Sequence, residues 1–506
     1  MSGLSRIFDM VDRNPIKYDV KLPEFVGKIL DLPFGYVLLL KGEAGTGKTT
    51  FAMEISNQYI KRSNIVFLST RTNIYEFKNQ YPDFSNFLGH AALKDLESVN
   101  LSEESLRLIN IDSENFINVF REFEKLVVSL VKKNENEDKK RKTIIIIDSV
   151  DKLVDVIMAK NKMITKTIIF ETLISLTRRL GLKLILISET SEKSSDDYLV
   201  DGIITLSRDL TKIPDRLLRV LEINKLRHIS VDQIKILFSL YNGNFYAIPA
   251  LKPSLTLYSI NRQIKKLTKI LEKNPINQAF FINLLQAKKL CLDFDTQSNA
   301  ILSLMHYLFI CTCLLNKISV FYVAPPDYDF VEAAKAMLDV FGEEIIQNHF
   351  RMGFYPKMED DVLPEHVLYS QNDSIFKELE ANKFAIENLR IQSSNKTVLL
   401  VLPLDHIFNN YQHQNLYKLF QYIYEKEIIT YKDPLLVSQL SFPAMDPEQR
   451  RFVDSFSSRI MFYMKGLKVY KTQLFYWVKL PRPAYALYPR LGKRDQFESI
   501  DMLPIK

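Results

Sequence analysis

Cysteine is nearly absent from this chain. Among 506 residues there are three, Cys291, Cys311 and Cys313, an odd and sparse set that excludes a disulfide framework and fits a reducing interior. Cys311 and Cys313 sit within the apolar stretch 308–315, where packing rather than metal ligation is the expected role. Long apolar runs are also missing. No stretch reaches the roughly eighteen residues that a membrane span requires, and the first residues do not read as a secretory signal. The expectation is a soluble, cytoplasmic protein with no membrane association. Nor is there a strong charge of one sign: 67 basic and 60 acidic residues leave a net +7. That mild excess on a long chain demands neither nucleic acid nor a membrane surface. With 47% apolar and 25% charged residues, the composition is that of an ordinary globular protein, and the length suggests roughly two to four domains.

Against this plain background one stretch stands out. Tyr36-Val37-Leu38-Leu39-Leu40 is a short apolar run, and Gly42-Glu43-Ala44-Gly45-Thr46-Gly47-Lys48-Thr49-Thr50 follows it. The pattern G-x-x-x-x-G-K-[ST] between a strand and a helix is a phosphate-binding loop. Its glycines allow backbone angles and close approach that a Cβ forbids, so that successive N–H groups can face phosphate oxygens. The helix N-terminus adds partial positive charge. Lys48 is expected to reach the β- and γ-phosphates, and the Thr49 hydroxyl to ligate Mg²⁺.

Further along, apolar runs alternate with helical segments. Residues 65–70 read as a second strand, helices are expected from there to Lys132, and a charged run over 132–142 reads as a solvated loop, with a nucleic-acid contact the weaker alternative. Thr143-Ile144-Ile145-Ile146-Ile147-Asp148 is a β-branched run that reads as a strand buried on both faces, with an acid at its carboxyl end. Downstream of a phosphate loop, Asp148 is a candidate Mg²⁺ ligand. Runs at 184–189, 201–206, 218–223 and 233–238 complete the set. Strands alternating with helices imply a doubly wound parallel α/β sheet, with ligand at the strands' carboxyl ends.

Over roughly residues 25–250 the chain resembles the KaiC/RecA-type P-loop ATPases. Besides the two nucleotide motifs, Tyr198-Leu199-Val200-Asp201-Gly202-Ile203-Ile204 and Leu221-Glu222-Ile223-Asn224-Lys225-Leu226-Arg227-His228 are similar to that group's closing hairpins. Ser69-Thr70-Arg71 followed by Asn79-Gln80-Tyr81-Pro82 resembles the archaeal ATPases related to the gas-vesicle regulator GvpD. The resemblance implies ATP as the nucleotide. It also implies a homo-oligomer in which Lys225 and Arg227 reach a neighbour's triphosphate, and a protein partner such as a transcription regulator. One departure matters. The resembled ATPases carry a glutamate after the second strand to polarise water, whereas this chain has Thr70 and Arg71, neither of which can act as a general base. Three readings stand: slow hydrolysis, substitution by Glu189, or Arg71 sensing the γ-phosphate. Slow hydrolysis with Arg71 as sensor is the favoured combination.

The second half repeats the rhythm of the first. Segment 251–286 reads as an amphipathic connecting helix broken at Asn274-Pro275. Strand starts at 36, 65 and 143 lie about 29 and 78 residues apart, and those at 289, 318 and 397 about 29 and 79, as a repeated unit would give, with an unrelated α/β domain of coincident spacing the alternative. The chemistry does not repeat. Where a phosphate loop belongs, the chain reads Asp295-Thr296-Gln297-Ser298-Asn299-Ala300, with neither glycine nor lysine, and the counterpart of Asp148 is Asp405. The expected organisation is an ATPase domain over 1–250, connecting helices over 251–288, and a degenerate RecA-like α/β domain over 289–506. The aromatic and basic tail, 474–490, is expected to lie extended over a surface. Function divides between a nucleotide-dependent regulator and a DNA-binding motor of the recombinase or helicase kind. The modest charge and missing glutamate weigh against the motor.

Overall fold

The computed structural model describes residues 22–69, 106–110, 141–160, 163–213, 215–248, 260–273, 289–295, 299–324, 329–354, 365–369, 374–404, 416–441, 462–477, 484–491 and 497–505, with isolated residues between them. These fall into two compact units, one built on Tyr18–Pro249 and one on Ala250–Leu503.

Among the described residues the first unit forms a nine-stranded sheet. Its strands are β1 (Tyr36–Lys41), β2 (Ser63–Ser69), β3 (Leu106–Asn110), β4 (Lys142–Asp148), β5 (Lys183–Ile187), β6 (Gly202–Asp209), β7 (Leu218–Leu226), β8 (Lys235–Ser239) and β9 (Tyr246–Ile248). They lie in the order β3-β2-β4-β5-β1-β6-β7-β8-β9. Strands β3 through β6 run parallel, and β7 to β9 continue antiparallel. Helices α1 (Glu24–Asp31), α2 (Lys48–Tyr59), α3 (Val150–Lys160) and α4 (Lys166–Arg179) accompany it. The expectation of helix throughout to Lys132 fails at β3, which pairs with β2 from Ile65↔Leu106 to Ser69↔Asn110. Five residues are too few for periodicity to separate strand from helix. Thr70, Arg71 and the 79–82 motif lie outside the described residues.

Alternation along β1 makes the sheet two-sided. Tyr36, Leu38 and Leu40 join a core with Phe51, Ala52 and Ile55 of α2, while Val37 and Leu39 meet Leu153 of α3 and Phe170 and Leu173 of α4. A strand buried on both faces has no place for a polar residue except at its ends. The buried lysines Lys41 and Lys183 obey this rule at the ends of β1 and β5. Lys183 donates to the carbonyls of Leu32 (2.9 Å) and Phe34. Burial and the neighbouring Lys142 lower its pKa to about 8.

The second unit has β10 (Lys289–Asp295), β11 (Ser319–Ala324), β12 (Phe350–Phe354), β13 (Val367–Tyr369), β14 (Val398–Pro403), β15 (Leu435–Ser441), β16 (Phe462–Val469), β17 (Thr472–Trp477), β18 (Ala484–Leu491) and β19 (Phe497–Ile505). Their order is β13-β12-β11-β14-β15-β10-β16-β17-β18-β19. Apart from the edge strand β13, which has no counterpart among the described residues, this is the order of the first sheet strand for strand, β10 standing for β1 and β16 for β6. The parallel-to-antiparallel switch falls at the same place, between β16 and β17. The tail is therefore not a segment laid over a surface. Residues 472–477 and 484–491 are strands β17 and β18, whose aromatic, β-prone sequence satisfies its backbone in the sheet.

The helix expected as a connector, α5 (Ile260–Lys273), packs on α6 (Asn299–Leu315) and α7 (Asp329–His349). Ile264, Leu267 and Leu271 line its buried stripe, with Arg262, Lys265 and Lys269 exposed. The helices α8 (Ile375–Ala381), α9 (Lys383–Gln392) and α10 (Leu416–Glu425) cover the other face of the sheet, with Leu379, Leu389 and Leu419 in one core with Leu400 of β14. All three cysteines are buried and free. Burial pushes Cys311 up to about 12 and Cys313 further still.

Candidate functional site

The bend between β1 and α2 has the shape its composition demands. Gly42, Gly45 and Gly47 have φ of 146°, 73° and 102°, a region that costs other residues energy. Packing adds a second constraint: a Cβ on Gly42 would stand 2.2 Å from the Leu206 carbonyl oxygen, and one on Gly45 would stand 2.4 Å from Arg208 Nη2. Gly47 is the N-cap of α2 and brings no side chain to it, which leaves the first-turn N–H groups available to an anion. Thr46 Oγ1 donates to the Glu43 carbonyl (2.8 Å) and closes the loop on itself. Ala44 is exposed at the loop's tip, and Thr50 is half-buried in the first turn of α2.

Lys48 points back into the loop, its ammonium donating to the carbonyls of Gly42 (2.6 Å) and Glu43 (2.7 Å). Thr49 Oγ1 donates to Asp148 Oδ2 at 2.7 Å. Two residues 99 positions apart thus meet because β4 carries Asp148 to the same carboxyl-end rim where β1 releases the loop. A hydroxyl and a carboxylate oxygen are the hard donors Mg²⁺ prefers, and that ion ordinarily takes its remaining ligands from water and substrate phosphates rather than from a protein cage. The residues present therefore fit it. Among the described residues no cluster of three or more His, Cys, Asp or Glu could hold a metal. The peptide bond after Asp148 is cis.

Strand register locates the remaining candidates. Asp148 stands between Ser69 of β2 and Ile187 of β5. Glu189, two residues past Ile187, is exposed at that rim, and its N–H donates to Asp151 Oδ2 (2.7 Å) at the start of α3. Lys225 and Arg227 are elsewhere. Lys225 pairs across with Ile203, near the start of β6, whereas the loop lies beside its end. At about 3.3 Å per residue, five residues separate Lys225 from the Arg208 level by roughly 16 Å. Both side chains rest on a 3₁₀ turn, Ser195–Tyr198. Lys225 donates to the carbonyls of Asp197 (2.9 Å) and Tyr198 (3.3 Å), and Arg227 donates to Tyr198 and pairs with Asp201 (3.7 Å). Burial and the adjacent Arg227 lower the Lys225 pKa.

Three features escape a motif search. Lys41, the last residue before the loop, is buried and bound to both carboxylate oxygens of Asp197 (2.9 and 3.0 Å) and to the Glu192 carbonyl. Burial raises the Asp197 pKa, but the hydrogen bonds from Lys41 and Ser194 outweigh it and hold the carboxyl below its ordinary value. The other two are Arg208 and Arg219, which donate to the Ala44 and Gly45 carbonyls at 2.9 Å each. Only the pairing of β6 with β7 could have revealed them as neighbours.

In the second unit the equivalent rim differs. Asp293 is buried in β10, 3.7 Å from Lys465 of β16. The stretch 296–298 and Asp405 lie outside the described residues. His306 of α6 is buried against Ser438 Oγ (2.7 Å), and burial lowers its pKa to about 4. Among the described residues no helix is long and apolar enough to cross a membrane.

Comparison with known proteins agrees with this geometry. Residues 26–224 match the family model of the GvpD gas vesicle protein P-loop domain. Protein GvpD2 of Halobacterium salinarum is 27% identical over 224 residues, which is 44% of this chain and 43% of that protein. Protein GvpD1 of the same organism is 27% identical over 225 residues, 42% and 38% of the two chains. The chain thus spans less than half the length of each of these relatives. Among solved structures, a KaiC-like protein from Pyrococcus horikoshii OT3 aligns with 18% identity and a TM-score of 0.34, covering 46% of this chain and 99% of that one. Loop, sheet order and matched residues together identify the first unit as a P-loop domain similar to that of GvpD.

Proposed function

We propose that the protein is a nucleotide-dependent regulator that binds ATP with Mg²⁺ and hydrolyses it slowly. The observation that carries this is the 2.7 Å contact between Thr49 and Asp148 at the mouth of the glycine loop. In this reading the N–H groups of residues 43–50 cradle the phosphates, and Lys48 exchanges its loop carbonyls for β- and γ-oxygens. Thr49 and Asp148 would hold the metal, which would supply positive charge against the phosphates.

Water activation is the weak step. Arg71 replaces the usual glutamate and stays protonated, so it senses the γ-phosphate rather than taking a proton. The competing reading makes Glu189, exposed at the rim beside Asp148, a substitute carboxylate. Lys225 and Arg227 are too far along the sheet to serve their own loop, which supports a role toward the loop of a second copy in a homo-oligomer. The domain division follows: an ATPase over 1–250, linked through 251–288 to a RecA-like unit over 289–506 that has lost its loop and meets a protein partner, a transcription regulator on the GvpD resemblance.

The test is turnover of full-length protein with Mg-ATP, with and without single-stranded DNA, across salt, for wild type, Lys48→Ala and Arg71→Glu. The proposal expects slow, DNA-independent turnover that Lys48→Ala abolishes and Arg71→Glu alters. DNA-stimulated turnover with steep salt dependence would instead establish the motor reading.

A further inference from the structure

A phosphate loop works by turning its N–H groups inward, which leaves its carbonyls facing outward and in need of partners. Here those partners come from the antiparallel extension of the sheet. Arg208 on β6 and Arg219 on β7 are directly paired across the strands, and they donate to the consecutive carbonyls of Ala44 and Gly45 at 2.9 Å each. The same extension abuts the loop at two more points. A Cβ on Gly42 would meet the Leu206 carbonyl of β6, and one on Gly47 would meet Leu240, just past β8, at 3.0 Å.

Two arginines side by side repel one another, and burial with Arg208 nearby lowers the Arg219 pKa. A like-charge pair at the rim of a sheet needs compensation. The carbonyl oxygens provide part of it, and a polyphosphate in the loop would provide more, since both guanidinium groups lie behind the amides that face it.

We propose that Arg208 and Arg219 are positioning residues that hold the tip of the loop in its phosphate-binding shape and set nucleotide affinity. The inference rests on the nucleotide reading above. The bond from each arginine to the loop is a single N–H toward one carbonyl, a bond that a lysine can also make. Hydrogen bonds from charged donors that shape a site without touching the reacting atoms should act on binding rather than on the chemical step.

The experiment measures affinity for a fluorescent ATP analogue with Mg²⁺, and KM and kcat for ATP, on full-length protein. The variants are Arg208→Ala, Arg219→Ala, the double variant, and the two lysine substitutions, with melting temperature as the check on folding. Each alanine variant should weaken binding and raise KM about tenfold, the double variant more, with kcat within about twofold of wild type. Lysine at either position should restore affinity to within about threefold. Wild-type affinity in the double variant, a fall in kcat at unchanged KM, or lysine variants as weak as the alanine ones would each overturn the inference. Failure of wild type itself to bind the analogue is a separate outcome, which would remove the nucleotide reading and this inference with it.

Discussion

The two units share a strand order and differ in a few residues at one bend. In the first, the chain leaves β1 through three glycines with positive φ, and a lysine and a threonine open the helix. In the second, it leaves β10 through Asp295–Ala300 with no glycine. The strands that lead into the two bends differ in polarity yet are both packed inside their sheets: β1 is buried at every position and β10 from Leu290 to Phe294. The sheet is thus a scaffold that packing alone maintains, while the chemistry depends on a short stretch that packing does not require. Electrostatics diverge in the same way. Positive groups crowd the first rim through Lys48, Arg208 and Arg219, whereas the second unit buries Asp293 near its rim with Lys465 as its ion partner.

The comparison can be strained by experiment. The largest effect should come from Arg227→Ala. If this arginine completes a neighbour's site, turnover in assembled protein should fall by about a hundredfold or more, while nucleotide binding is kept. Unchanged turnover would return Arg227 to a purely local role beside Asp201.

Next in size are the buried ion pairs, one in each unit: Lys41–Asp197 beside the loop and Arg390–Asp433 beside β14, both with a 2.9 Å contact. Removing one partner leaves a buried charge, so Lys41→Met and Arg390→Met should each cost about 3 kcal/mol or more, read by urea unfolding. For Asp197 the pH dependence has a definite sign. Its folded pKa is lowered, so its contribution is complete above the unfolded value of about 4 and is lost as pH falls through the lowered value. Asp197→Asn should remove that part of the acid sensitivity and lose stability at neutral pH.

A smaller effect is expected for Gly42→Ala. Strain at its φ of 146° and the clash with Leu206 should cost about 1–3 kcal/mol and weaken nucleotide binding. The analogous strain is not available in the second unit at 295–300, since no glycine is there to replace. Smallest of all should be thiol labelling. The first unit has no cysteine, and the three in the second are buried, with Cys311 pushed up to about 12. Native protein should resist labelling at neutral pH and react only on unfolding, which makes the reagent a specific probe of the second core.

Much of this architecture was legible in the chain because it rests on local signals. The β-branched run ending in Asp148 announced a buried strand and its acid, and the glycine spacing announced the loop. The repeated intervals of about 29 and 78 residues point to the second sheet. What stayed hidden depends on register between distant segments. Arg208 and Arg219 are unremarkable surface charges until β6 pairs with β7, and Lys41 reads as a strand terminus until the Ser195–Tyr198 turn brings Asp197 to it. Strand β3 is hidden because an edge strand of five residues carries too little periodicity. The tail's prolines point to a surface segment, whereas its aromatic runs supply β17 and β18.

The central claim is that one unit retains a nucleotide site and its structural counterpart does not. Stoichiometry tests it most directly: equilibrium dialysis of the full-length protein with labelled ATP and Mg²⁺, for wild type and Lys48→Ala. The account predicts one nucleotide per chain in wild type and essentially none in the variant. Two nucleotides per chain, or one that survives Lys48→Ala, would contradict it.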